Sequence, residues 1–290
     1  MQVTGTMKRL FLFFLLCIHC HLPAEYVSVC GFRDCCQFAI ENKQTPFAAE
    51  QVKDGDAIFV KNRYTEFFFK HYHPLIRAKY VLVTHFSDNS SPGKCAAYLD
   101  DPKLLAWFAE NVEEFSHPKL IPIPVGLNNS TIEKPTHLKT FEAAMLYAHT
   151  SQRTIPLYIN YLDRKETRER AITQQLFKDK KFCVCSLRKP FEAYLKDLAT
   201  SQFVLSPRGA GLDCYRTWEA LYLGAIPIVK ASAMDAVFDD LPVLIIDDWK
   251  EITEQFLMTK LEEMKTKKYN FSKLDMAYWK QLIDSYKVPS

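Results

Sequence analysis

Short apolar runs alternate with longer amphipathic stretches along this chain. Ala57–Val60, Tyr80–Thr84, Leu157–Tyr161, Phe182–Ser186, Phe203–Leu205, Ile226–Val229 and Val243–Ile246 have the length and continuity of buried strands. Leu120–Asn129 reads as a strand that passes into a loop. Between them, Tyr64–His73, Leu99–Glu114, Leu138–Ala148, Glu166–Lys178, Pro190–Thr200, Leu212–Leu223, Ile252–Lys267 and Phe271–Tyr286 are predicted helices. The last of these is placed to fold back across the domains. Strands that alternate with helices predict an α/β fold with mostly parallel sheets. The polar, proline-containing stretch Ser130–His137 is the natural boundary. It divides the chain into an N-terminal Rossmann-like unit (25–135) and a C-terminal unit (136–290), which face each other across a cleft.

The richest stretch is SQFVLSPRGAGLDCYRTWEALYLGAIPIVKAS, Ser201–Ser232. It reads as strand, glycine loop, helix, glycine stop and strand. Pro207 ends the first strand because it lacks an N–H. Gly209 and Gly211 permit close approach of the backbone to a ligand, and Gly224 suits the residue after a helix. On the helix, Asp213, Arg216 and Glu219 recur every three residues and so share a face. Free N–H groups at a helix start, with Arg208 and Arg216 nearby, suit a diphosphate. Glu219 would accept from sugar hydroxyls further along. An ordinary surface array of ion pairs has the same spacing.

The pattern Ser-Pro-Arg-Gly…Asp-x-x-Arg-x-x-Glu-Ala-Leu-x-x-Gly-x-Ile-Pro-Ile resembles the C-terminal half of exostosin-like glycosyltransferases over Ser201–Trp249. The resemblance implies a compact two-domain GT-B fold and a sugar-nucleotide donor. It implies that Glu219 binds the nucleotide portion, and that Arg208, Gly209, Gly211 and Arg216 hold the diphosphate. Trp249 resembles the family's tryptophan after its last strand.

Composition alters this picture little. Of 290 residues, 48% are hydrophobic and 24% charged, which is ordinary for a globular protein. A net charge of +3 is too mild to argue for nucleic acid or an anionic membrane surface. Met7-Lys8-Arg9 followed by the apolar run Leu10–Ile18 predicts a signal peptide or an uncleaved anchor over 1–24. That implies export: the Golgi or ER lumen in a eukaryote, the cell envelope in a bacterium, with membrane attachment if the segment stays. Of nine cysteines, Cys17 and Cys20 lie in this segment, and the remaining odd count, without CxxC pairs, argues against zinc. Cys183 and Cys185 read as buried apolar residues, and an oxidising compartment allows one disulfide among Cys30, Cys35, Cys36 and Cys95.

Ligands in open α/β sheets sit beyond the carboxyl ends of strands. His85 and Asp88, in the loop after Tyr80–Thr84, are therefore candidates for acid–base work. The same loop also reads as a turn made by Asp88 and Asn89. Sequences similar to this one carry a Thr-His-x-Ser-Asp loop here, which fixes no role. Arg164 or Arg170 could reach a phosphate from the first loop of the second unit, although a solvated, charged helix face is the stronger reading of that stretch. Gly126 and Asn128 would border the cleft. Asp54 and Asp56 mimic a metal-binding DxD, but turn chemistry accounts for them. His71 and His73 read as surface residues at a helix end.

The expectation is a glycosyltransferase that moves a sugar from a UDP- or GDP-sugar to a glycan or glycoconjugate acceptor. No metal is obligatory, because fixed cations face the leaving diphosphate. The base would be His85 or Asp88, or neither if the leaving phosphate takes the proton. The alternative is a secreted, non-catalytic module that binds sugar or nucleotide on the same scaffold.

Overall fold

The computed structural model describes residues 23–113, 116–160, 167–186 and 188–287. The apolar run Leu10–Ile18 and Arg164 lie outside the described residues.

Two five-stranded, wholly parallel sheets organise the chain. The first contains β1 (Phe38–Ile40), β2 (Ala57–Lys61), β3 (Tyr80–His85), β4 (Leu104–Ala109) and β5 (Leu120–Pro122), side by side in chain order. The second contains β6 (Ile155–Asn160), β7 (Cys183–Ser186), β8 (Ser201–Leu205), β9 (Ile226–Lys230) and β10 (Leu244–Ile246), in the order β10-β9-β8-β6-β7. In that sheet the winding reverses between β6 and β8. Such a switch point opens a crevice at the carboxyl ends of the strands.

Side-chain alternation explains how the second sheet is covered. On β6, Leu157 and Ile159 face a small core with Phe203 and Leu205 of β8, whereas Tyr158 and Val204 face the large core. Two helices, α5 (Arg168–Phe177) and α8 (Glu254–Lys265), contribute Phe177, Leu257 and Met264 to the small core. The large core is shared by both sheets. It joins Val81, Trp107 and Phe108 of the first to Tyr158, Val204 and Val229 of the second. Also in it are residues of α1 (Val29–Asp34), α2 (Thr65–His71), α4 (Pro135–Thr150), α6 (Phe191–Ala199), α7 (Tyr215–Tyr222) and α9 (Met276–Ser285). The remaining helix, α3 (Asn129–Ile132), is a single turn capped by Asn128. As expected, α9 returns to the N-terminal unit: Trp279 meets Phe32, and the Met276 N–H donates to Glu25 O at 3.0 Å.

Several expectations need correction. The predicted helix Leu99–Glu114 is instead a 3₁₀ stretch, Gly93–Asp100, followed by strand β4. A continuous apolar run fits a buried strand as well as a buried helix, and Leu104–Ala109 lies between two neighbours in the sheet. Helix α7 begins at Tyr215, so Leu212 and Asp213 belong to the preceding loop. His73 is buried rather than exposed, with Tyr80 Oη 2.8 Å from Nδ1 and Asp101 Oδ2 3.1 Å from Nε2. Cys183 is half-buried and Cys185 exposed, because β7 is an edge strand whose outer face is left uncovered. Every cysteine among the described residues is a free thiol. Asp54 and Asp56 form a turn, as expected: they accept from Lys79 N–H at 2.7 Å and Lys53 N–H at 2.8 Å. Among the described residues no helix is long and apolar enough to cross a membrane.

Candidate functional site

A cleft of about 1440 Å³ lies between the carboxyl ends of the two sheets. The N-terminal unit supplies the loops after β3 (Phe86–Asn89), β4 (Glu110, Asn111) and β5 (Val125, Asn128). The C-terminal unit supplies Asn160 at the end of β6, Arg170 of α5, Tyr194 of α6, the loop Gly209–Cys214 and the first turns of α7. The glycine loop follows β8 and therefore sits at the switch point.

That loop is held from both sides. Glu169 Oε2 accepts the Arg208 N–H at 3.2 Å, while Glu169 Oε1 accepts Trp249 Nε1–H at 3.1 Å. Thr167 Oγ1 donates to Arg208 O at 3.0 Å. Opposite, Asn111 Oδ1 accepts the Leu212 N–H at 2.9 Å, and Asn111 Nδ2 donates to Ser87 O at 3.0 Å. A Cβ at Gly211 would lie 2.6 Å from Asn111 Oδ1, so a glycine is needed for this closeness. One asparagine thus joins the loop after β3, the end of β4 and the glycine loop.

Arg216, Glu219, Gly209, Gly211 and Arg170 come together along one wall of the cleft. Glu219 is buried and accepts Tyr194 Oη–H at 2.6 Å. Burial raises its carboxyl above the ordinary value, opposed by that hydrogen bond and by the nearby Arg216 charge. The lining side chains include six Lys or Arg and four Asp or Glu, a cationic balance that suits an anionic ligand. Among the described residues no group of three His, Cys, Asp or Glu side chains is arranged to hold a metal ion.

Three predicted site residues are placed otherwise than expected. Arg208 does not line the cleft; its Nη2 pairs with Glu113 Oε1 at 3.2 Å at the exposed rim. Asp213 lies before the helix and its acceptors are occupied. Oδ2 takes the Val125 N–H at 2.9 Å and Trp218 Nε1–H at 2.7 Å, and Oδ1 takes the Cys214 N–H at 2.8 Å. His85 is fully buried, stacked on Phe32, and does not line the cleft. Since β3 is fully buried, its last side chain points into the core. Asp88 does line the cleft and is exposed. Asn128 also borders it, whereas Gly126 packs against Val27 instead.

Sequence reasoning missed Glu110. It is 1% exposed yet contributes to the cleft wall. Its Oε1 accepts the Ser87 N–H, and its Oε2 lies 3.1 Å from His85 Nδ1. His85 Nε2 is 2.9 Å from Pro124 O, which can only accept, so that nitrogen carries the proton. Nδ1 is then an acceptor, and the Phe86 N–H donates to it at 2.8 Å. Burial lowers the His85 pKa to about 4 and raises that of Glu110 to about 8. A protonated Glu110 directs its O–H at Nδ1, whose one lone pair it shares with the Phe86 N–H. The signal was legible in Ala-Trp-Phe-Ala-Glu-Asn once that run is read as a strand, because Glu110 then follows its carboxyl end.

Comparison with known proteins settles the family. Residues 129–285 match the model of the RXYLT1 C-terminal domain, more than half of the chain. The chain belongs to this family of exostosin-like glycosyltransferases. The matched span contains the whole second sheet, the glycine loop and Glu219. No curated protein matches the chain. Among solved structures, the N-terminal domain of Candida albicans trehalose-6-phosphate phosphatase shares 13% identity at a TM-score of 0.42, over 82% of this chain and 73% of that one. Sucrose-phosphate synthase from Thermosynechococcus elongatus shares 11% at 0.41, over 79% and 73%. The trehalose 6-phosphate synthase of Burkholderia multivorans shares 10% at 0.40, over 82% and 71%. The family membership and the chain's own two-sheet geometry, with its central cleft, carry the argument that follows.

Proposed function

We propose that the cleft transfers a sugar from a nucleotide-sugar donor to a glycan or glycoconjugate acceptor. Within that class the favoured sugar is a pentose, xylose, because the family is one of xylosyltransferases. The observation that carries the reading is the grouping at the β6/β8 switch point. Arg170, next to Gly209, and Arg216 line the cleft together with the Gly209–Gly211 backbone, and Glu219 lies one turn beyond Arg216 along α7. A diphosphate fits between the two guanidinium groups, and a ribose diol fits against the Glu219 carboxylate.

Charge then governs the reaction. Breaking the anomeric C–O bond leaves negative charge on the departing diphosphate. Preorganised cations aimed at that charge lower the barrier. Arg170 and Arg216 are such cations, so this reading requires no metal. The acceptor enters from the opposite wall, past Phe86 and Asp88.

Isothermal titration calorimetry with UDP and GDP tests the site. Glu219→Ala and Arg216→Ala are each expected to weaken binding about tenfold to a hundredfold, the loss of a charge-assisted hydrogen bond. Unchanged affinity in both variants would mean that the nucleotide binds elsewhere. Parallel turnover of UDP-xylose and UDP-glucose then decides between pentosyl and hexosyl transfer.

A further inference from the structure

We propose that Glu110 is the catalytic base that takes the proton of the acceptor hydroxyl, with His85 as the positioning residue behind it. This rests on the glycosyl-transfer reading above. It replaces His85 and Asp88 as the expected acid–base groups.

The geometry supports it in three ways. Glu110 stands at the carboxyl end of β4, on the wall across the cleft from Arg170 and Arg216. A base on this wall approaches the anomeric carbon from the side opposite the departing diphosphate. Its carboxyl group is held at both oxygens, by the Ser87 N–H on Oε1 and, when protonated, by donation from Oε2 to His85 Nδ1. His85 is itself fixed, by Pro124 O at Nε2 and by ring stacking on Phe32. A proton arriving on Glu110 therefore finds an acceptor already in place.

The step balances. The acceptor oxygen forms a bond to the anomeric carbon, and its proton moves to Glu110. The anomeric C–O bond to the diphosphate breaks, and its electron pair leaves with the phosphate. The new proton sits on Glu110 Oε2 and is donated to His85 Nδ1. Burial that raises the Glu110 pKa makes its carboxylate a stronger base once formed. The groups facing it are His85 on β3, Asp88 in the following loop, and Asp213 and Tyr215 at the start of α7. Both carboxylates help to hold the proton there.

Glu110→Gln is the discriminating variant. The amide accepts from the Ser87 N–H and donates to His85 Nδ1, so it reproduces the protonated state and keeps both hydrogen bonds. UDP affinity is expected to stay within about threefold. UDP release from UDP-xylose and UDP-glucose with glycan acceptors is expected to fall about a hundredfold or more, the usual worth of a positioned base. In the unaltered protein kcat/KM is expected to rise with pH, with a midpoint near 8. His85→Phe keeps the ring stacking but removes the acceptor for that proton, and should move the midpoint to lower pH. Activity of Glu110→Gln within tenfold of the unaltered protein, or its loss in Asp88→Asn alone, would overturn the assignment. Failure of the unaltered protein to bind UDP or GDP would instead overturn the underlying reading, and this proposal with it.

Discussion

At the scale of single residues, burial of ionisable groups leaves a mark on stability as well as on chemistry. Burial raises the Glu110 pKa to about 8 and that of Asp213 to about 6, and lowers that of His85 to about 4. A raised carboxyl binds its proton more tightly folded than unfolded, so its contribution is lost as pH rises through the folded value. For His85 the sign is opposite: the unfolded chain binds the proton more tightly, and stability rises from about pH 4 to 6.5. Below pH 6.5 these effects oppose one another. Between pH 6.5 and 8 only Glu110, of these three, still changes. Thermal stability is therefore expected to fall over that interval in the unaltered protein and to fall less in Glu110→Gln, as followed by circular dichroism. That Arg216 and Glu219 share one stretch of helix was legible in the sequence, because spacing along a single helix is a local fact. The sequence could not name Glu110, whose meaning depends on β4 being a strand. Nor could it show that His85 points away from the cleft, since which face of a strand is covered depends on the neighbouring layers.

At the scale of elements, the alternation of strand and helix was legible because each unit buries its own periodic face. The misread element, β4, is the one whose apolar run is continuous. Periodicity is silent there, and only pairing with β3 and β5 settles the structure. The loop after β5 shows a second kind of information that is hidden in the sequence. Gly126 read as a residue bordering the cleft, yet it adopts φ 67° against the N-terminal segment. A Cβ there would lie 2.2 Å from Val27 O, a backbone atom that cannot swing aside. The Leu127 N–H donates to that same Val27 O at 2.8 Å, so the turn ties the end of the first sheet to the chain's entry. Gly126→Ala is therefore expected to destabilise the protein by about 2 kcal/mol or more, from the left-handed backbone and the collision together. Urea denaturation measures it. A change under about 0.5 kcal/mol would show that the segment around Val27 yields easily.

At the scale of the whole molecule, the question is what keeps the two sheets in register across the cleft. Charges at the rim contribute little: Arg208 and Glu113 are both about two-fifths exposed, and such pairs are typically worth less than about 1 kcal/mol. The buried connections matter more. The large core crosses between the units, Tyr222 Oη accepts the Val27 N–H at 3.0 Å and donates to Leu274 O at 2.6 Å, and Asp213 gathers donors from both sides. Val125 belongs to the N-terminal unit and Trp218 to α7. One carboxylate between them fixes the loop after β5 against the helix that carries Arg216 and Glu219. Asp213 thus sets the spacing between the wall of the cleft formed by the first sheet's loops and the wall formed by α7. Asp213→Ala leaves three N–H groups, those of Val125, Cys214 and Trp218, without their acceptor, each costing about 1–3 kcal/mol where water does not replace it. The expected loss is therefore at least about 2 kcal/mol in urea denaturation. Because the large core still spans both sheets, unfolding should remain a single transition by tryptophan fluorescence and by circular dichroism. Two separated transitions in this variant would show that Asp213, rather than the shared core, makes the two units one cooperative body.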